Sequence, residues 1–265
     1  MDLLHDALAV LSGAAVGFTL GLIGGGGSIL ATPLMLYVVG LQPHAAIGTS
    51  ALAVSVSAFV NFGSHARVGN VRWRSAVLFA VVGILGAAIG STLGKRFGGQ
   101  HLLALFAVLM IVVGVLMLRS CEPASAAQEL AGEASRGDLL ASGKVAAAAL
   151  LVGALSGFFG IGGGFLIVPG LLVSTGMPLV YAIGSSLLSV GTFGVTTAVN
   201  YALSGLIAWV VAAEFIVGGL AGGWLGMRLA CTLAPQRTVL NRIFAGLIFV
   251  VAAYMLYRNI GMAST

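Results

Sequence analysis

About ten apolar runs follow one another along this chain, near residues 7–23, 28–40, 44–62, 75–94, 101–118, 144–159, 164–175, 178–203, 207–230 and 239–257. Runs of this kind, separated by glycine, proline and charge, leave few folds open. Only 7% of the residues are charged, against about 25% in soluble domains, and 59% are hydrophobic. With a mean hydropathy of +1.12, the chain has too little polar surface to cover a water-soluble globule. The lipid bilayer is therefore its expected solvent. Runs two and seven, at roughly a dozen residues, fall short of the ~20 that an unaided crossing needs, which predicts half-helices or re-entrant hairpins.

The net charge of +5 and the pI near 9.7 do not point to nucleic acid, because the basic residues lie between apolar runs and read as topology signals. Cys121 and Cys231 stand alone, with no metal or redox pattern around them. No cofactor or metal is expected. The first run follows Asp2 and Asp6 instead of a basic segment and leads into glycines instead of a cleavage site, so it reads as a retained helix.

Slid against itself by 136 residues, the chain superposes Gly21, Gly24, Gly26, Gly27, Leu30 and Pro33 on Gly157, Gly160, Gly162, Gly163, Leu166 and Pro169. The same ungapped offset carries Ala46 to Ser50 onto Ala182 to Ser186, Gly69 and Trp73 onto Gly205 and Trp209, and Gly83, Gly86 and Gly90 onto Gly219, Gly222 and Gly226. The expected architecture is an all-α polytopic membrane protein of two inverted-topology repeats, each of about five hydrophobic segments, with short broken helices or hairpins at the glycine motifs. Residues 1–118 form the first repeat, 119–143 a polar cytoplasmic linker and 144–265 the second repeat. Charge supports the inversion, since Arg67, Arg72 and Arg74 align with Leu203, Ala208 and Val210. Placing 63–74, the linker and 228–242 in the cytoplasm leaves Lys95, Arg96 and Arg258 outside, with both termini external.

Gly24, Gly25, Gly26, Gly27 and Ser28, and Gly160, Gly162, Gly163 and Gly164, each divide a long run from a short one. A glycine run breaks a helix and frees backbone N–H groups at the next helix start, where the dipole favours an anion. The competing use is close packing or a tight turn. Thr49 and Ser50, echoed by Ser185 and Ser186, place uncharged hydroxyl donors in apolar segments. They can bind an anion or return to the backbone. Asn61 and Asn200 are amide donors for the same cavity, or caps on it. His65 and Arg67 are candidates for a charged gate, with interfacial and positive-inside roles as the alternative. Glu214, the only acid within a hydrophobic run, is a candidate coupling group or the partner of a nearby base. Trp73 and Trp209 read as anchors at opposite interfaces.

The doubled G-x-x-G-x-G-G-x-x-x-x-x-P motif, the A-I-G-[TS]-S echo and the Asn61, His65, Arg67, Gly69, Trp73 neighbourhood resemble the sulfite exporter TauE/SafE family. The resemblance spans nearly the whole chain apart from the linker. It implies an inner-membrane carrier of sulfite, sulfoacetate, thiosulfate or another small organic or sulfur-containing anion, commonly moved outward. Tyr201 and Leu203 stand where the first half has His65 and Arg67, so any role of that pair is one-sided. The expected partners are a small anionic substrate, the bilayer and a coupling ion, proton or sodium. An anion channel or an importer is the alternative. Enzyme chemistry is not expected, for want of a nucleophile beside an intramembrane base.

Overall fold

A computed structural model describes residues 3–23, 25–119, 138–160, 164–177, 179–232, 246 and 248–258. Helix α1 (Leu3–Ile23) is followed by a 3₁₀ turn (Gly25–Leu30), short α2 (Ala31–Tyr37), α3 (Pro43–Arg67), α4 (Trp73–Arg96) and α5 (Gly99–Arg119). The description resumes at α6 (Asp138–Phe159), which begins within the stretch expected as linker, followed by α7 (Gly164–Thr175), α8 (Leu179–Ala202) and α9 (Trp209–Thr232), and then α10 (Ile248–Arg258). Among the described residues there is no strand. Among the described residues four helices, within α3, α4, α8 and α9, are long and apolar enough to cross a membrane.

The second apolar run is broken as its length predicts, into the 3₁₀ turn and a seven-residue helix. Helix α3 starts with proline in its first turn, where the missing N–H costs nothing. It runs past its expected end and stops at Gly69, whose φ of +79° is a left-handed conformation costly to other residues. There Asn70 N donates to His65 O at 3.0 Å. At the 136-residue offset, Gly205 has φ +68° and Leu206 N donates to Tyr201 O at 3.0 Å, closing α8 in the same way.

Helix packing exchanges the two halves. Helix α1 lies on α9, α4 on α6, and α3 on α8 at the centre. These contacts depend on glycine: a Cβ on Gly17 would meet the backbone of Gly219, and one on Gly153 the backbone of Gly83. Gly222 likewise meets Ala14, and Gly86 meets Leu150. Each contact maps onto its mate by moving one partner up 136 residues and the other down. Such reciprocity is the mark of a two-fold relation. Backbones this close gain dispersion and weak Cα–H···O contacts, which drive helix association where lipid removes the hydrophobic incentive.

Helices α3 and α8 run antiparallel, since Gly194 meets Ala51 and Ser55 while Gly191 meets Phe59. Helices α3 and α9 run parallel, with Gly219 beside Ser57 and Gly223 beside Asn61. Arg67, Arg72, Arg74 and Arg228 consequently share one end of the bundle, and Lys95 and Arg96 the other. Trp73 and Trp209, both exposed, start α4 and α9 at these opposite ends.

Candidate functional site

The second half of α3 carries Ser57, Asn61 and Ser64 at i, i+4 and i+7, a spacing that puts them on one face. Opposite them α9 presents Gly219 and Gly223. A Cβ at Gly219 would stand 3.1 Å from Ser57 Oγ, and one at Gly223 3.8 Å from Asn61 Nδ2. The lack of side chains on α9 leaves a cleft of 120 Å³, lined by Ser57, Val60, Asn61, Ser64, Gly219, Leu220, Gly223 and Trp224. That is room for several water molecules or a small solute. None of the three polar side chains on α3 makes a side-chain hydrogen bond among the described residues, so their donors are free for a guest. Towards the arginine-bearing end, the Arg228 guanidinium lies 3.7 Å from the centroid of the Trp224 ring, adding positive charge at the rim. A wider, open groove of 540 Å³ along Trp73, Arg74, Val77, Leu78 and Val81 of α4 is largely apolar, with Arg74 and Trp73 its polar groups.

The equivalent region between α8 and α4 is filled. Phe193 replaces Ser57 and its ring lies where a Cβ on Gly83 would go, stacked on Phe79 at 6.3 Å. Thr197, in place of Asn61, is buried with its hydroxyl unpartnered. Asn200, in place of Ser64, donates through Nδ2 to Ser91 Oγ at 2.6 Å and Thr92 Oγ1 at 2.9 Å. Lys95 Nζ donates to Asn200 Oδ1 at 2.6 Å, Asn200 O at 3.0 Å and Ser204 Oγ at 2.9 Å.

The structure places the hydroxyl pairs at opposite ends of the α3–α8 pair. Thr49 Oγ1 accepts from Ala208 N at 3.1 Å, and Ser185 Oγ accepts from Arg72 N at 3.0 Å. These are equivalent bonds, each satisfying an amide at the start of the other half's helix. Ser50 and Ser186 donate back to Ile47 O and Ile183 O, and Ser50 also bonds Thr32. About 12 residues of helix rise, roughly 18 Å, separate the two pairs.

The 3₁₀ turn packs on both α1 and α7, which brings the described parts of the two glycine motifs together. Ser28 is fully buried. At Gly27 the chain passes against Thr19 and Leu20, and at Gly160, with φ +66°, against Ile47. Packing thus accounts for these two glycines. Gly25 and Gly26 lie within the turn and Gly164 begins α7, whereas Gly24, Gly162 and Gly163 lie outside the described residues. His65 and Arg67 occupy the last turn of α3, just beyond Ser64 of the cleft, with Arg67 exposed. Glu214 lies beside Asp6 of α1, so the neighbouring charged group is an acid.

Asn61 and Asn200 were legible as single polar residues in apolar runs. Ser57, Ser64, Gly219 and Gly223 were not, although the helical spacing of Ser57, Asn61 and Ser64 is a signal that could have found the lining.

Residues 9–255 match the family model described as sulfite exporter TauE/SafE. The chain belongs to this family. Among its relatives is a probable membrane transporter protein of Xylella fastidiosa strain Temecula1, 55% identical over 249 residues that cover 94% of each chain. Two more from Bacillus subtilis strain 168, the probable membrane transporter proteins YunE and YdhB, are 27% and 24% identical. YunE aligns over 96% of this chain and 98% of its own, YdhB over 89% and 95%. No solved structure matches the chain. A TauE/SafE member of this composition is a membrane transporter.

Proposed function

We propose that this TauE/SafE protein is a secondary transporter, moving a small anion such as sulfite, thiosulfate, sulfoacetate or a related organosulfur acid by alternating access. The observation that carries the reading is the unequal state of two equivalent seams. The α3–α9 seam holds a cleft with free hydroxyl and amide donors, while the α4–α8 seam is filled by Phe193 and tied by Lys95. A carrier caught with one pathway open has this asymmetry. The donors favour an anion: Ser57, Asn61 and Ser64 offer O–H and N–H groups, Arg228 adds charge, and no carboxylate among the described residues lines the cleft.

The positive-inside rule supports a cytoplasmic location for the end bearing Arg67, Arg72, Arg74 and Arg228, so the cleft opens inward and both termini are external. On this reading the membrane is the cytoplasmic one, the repeats insert in opposed orientations, and movement is outward. Thr49, Ser50, Ser185, Ser186 and the glycine motifs act as the frame at either end of the path. His65 and Arg67 flank the mouth, and Glu214 with Asp6 is the candidate site for a coupling proton.

The test is flux of labelled sulfite and thiosulfate in proteoliposomes, with and without a pH gradient. Saturable flux accelerated by counter-anion is the expected result. Conductance without saturation would identify a channel, and no flux of any small anion would overturn the assignment.

A further inference from the structure

We propose that the α4–α8 seam is a second, presently closed half-site for the same small oxyanion, with Lys95 as its cation. The inference rests on the transport reading and adds a binding group to it. Ser204 sits in the turn just beyond the end of α8, and Phe193, Thr197 and Asn200 follow one another at i, i+4 and i+7 and share a face of that helix. Its equivalent on α3 lines the open cleft.

Two observations mark the closed seam as more than packing. Thr197 is wholly buried, yet its hydroxyl has no partner, a costly arrangement that another conformation can relieve. Lys95, half-buried, is met only by neutral acceptors: Asn200 Oδ1, Asn200 O and Ser204 Oγ, with the Tyr201 ring 5.9 Å away. No carboxylate pairs with it among the described residues. All three ammonium hydrogens are used, so the seam cannot part unless something else accepts them. An oxyanion supplies those acceptors and the charge that neutral groups lack, and Thr197 and Asn200 can donate to its remaining oxygens. The second half has no matching cation, since Lys95 aligns with Cys231. The two half-sites therefore differ: a neutral donor cleft at the arginine-bearing end, and a lysine-held one at the other. A bland role for Lys95 also exists, capping the carbonyls at the end of α8.

The experiment separates the two roles. In a Cys121→Ser, Cys231→Ser background of the full chain in proteoliposomes, Thr197→Cys is reacted with a membrane-impermeant thiol reagent, alongside exposed Leu203→Cys as a control. Lys95→Met should speed labelling at 197 about tenfold by releasing the latch, with labelling at 203 unchanged. Sulfoacetate, a sulfonate that does not consume the thiol reagent, should slow labelling at 197 when residue 95 is Lys or Arg and not when it is Met. A labelling rate indifferent to Lys95→Met, or sulfoacetate protection that persists in it, would overturn the proposal. Should Thr197→Cys fail to fold, sulfite kinetics with Thr197 intact decide: Lys95→Met should raise KM about fivefold or more for substrate presented on the Lys95 face, leaving the opposite face unchanged and Lys95→Arg near normal. A loss of kcat from both faces with KM unaltered is the cap's signature and overturns the half-site. If the unaltered protein carries no anion while the latch still governs labelling, the transport reading fails and the half-site with it, whereas flux without any effect of Lys95 removes the half-site alone.

Discussion

Asn61 and Thr49 are both buried polar residues of α3, but their hydrogen bonding assigns them different roles. The Asn61 amide is unpaired beside the cleft, so Asn61→Leu removes a donor without leaving a protein group unsatisfied. It should cut kcat/KM for anion flux by a factor equivalent to about 1.5–3 kcal/mol, the worth of a hydrogen bond to a charged group. The thermal midpoint in detergent should not fall. The Thr49 hydroxyl instead accepts from Ala208 N. Thr49→Val strands that amide and should destabilise the fold by about 1–3 kcal/mol, whereas Thr49→Ser should not, as thermal unfolding of the purified protein will register. Sequence could identify both residues as buried hydroxyl or amide groups. It could not say which would find a partner, because the partner of Thr49 lies 159 residues away.

At the scale of helices, the extents of the long elements were readable because lipid fixes their length and glycine marks their breaks. The second run was recognisably too short, and α3 was underestimated because polar Ser64, His65 and Arg67 continue its last turn. Which faces meet was harder to read, since helices apolar all round have no hydrophobic stripe to point inward. The useful signal is small residues: Gly13 and Gly17 on α1, Gly83, Gly86, Gly90 and Gly94 on α4, and Gly218 and Gly222 on α9. Gly17→Val and Gly153→Val each push a side chain into facing backbone. Each should cost about 1–3 kcal/mol or more by overpacking, with similar losses of thermal stability at both positions because they are equivalent. A loss confined to one would show that the two interfaces are not energetic equals.

For the whole molecule, the offset seen in the sequence has a spatial counterpart in the exchanged pairing of α1 with α9 and α6 with α4. Sequence alone revealed the copies but not that each copy's outer helix lies on the other copy. That arrangement ties the halves together at the sides, and on the proposed alternating-access reading the α3–α9 and α4–α8 seams are the places where relative motion changes access. Because α3 runs antiparallel to α8 while α4 runs parallel to it, exposed Val68, just beyond α3, and exposed Phe97, just beyond α4, lie at opposite ends. With the native cysteines replaced by serine, Val68→Cys should react with an impermeant maleimide only in inside-out vesicles, and Phe97→Cys only in right-side-out ones. Reversed labelling would turn the cleft outward and make the half-site at Lys95 the cytoplasmic one. Labelling of both from one side would break the crossing pattern on which motion between the two seams depends, since a carrier must present its halves to opposite faces of the bilayer.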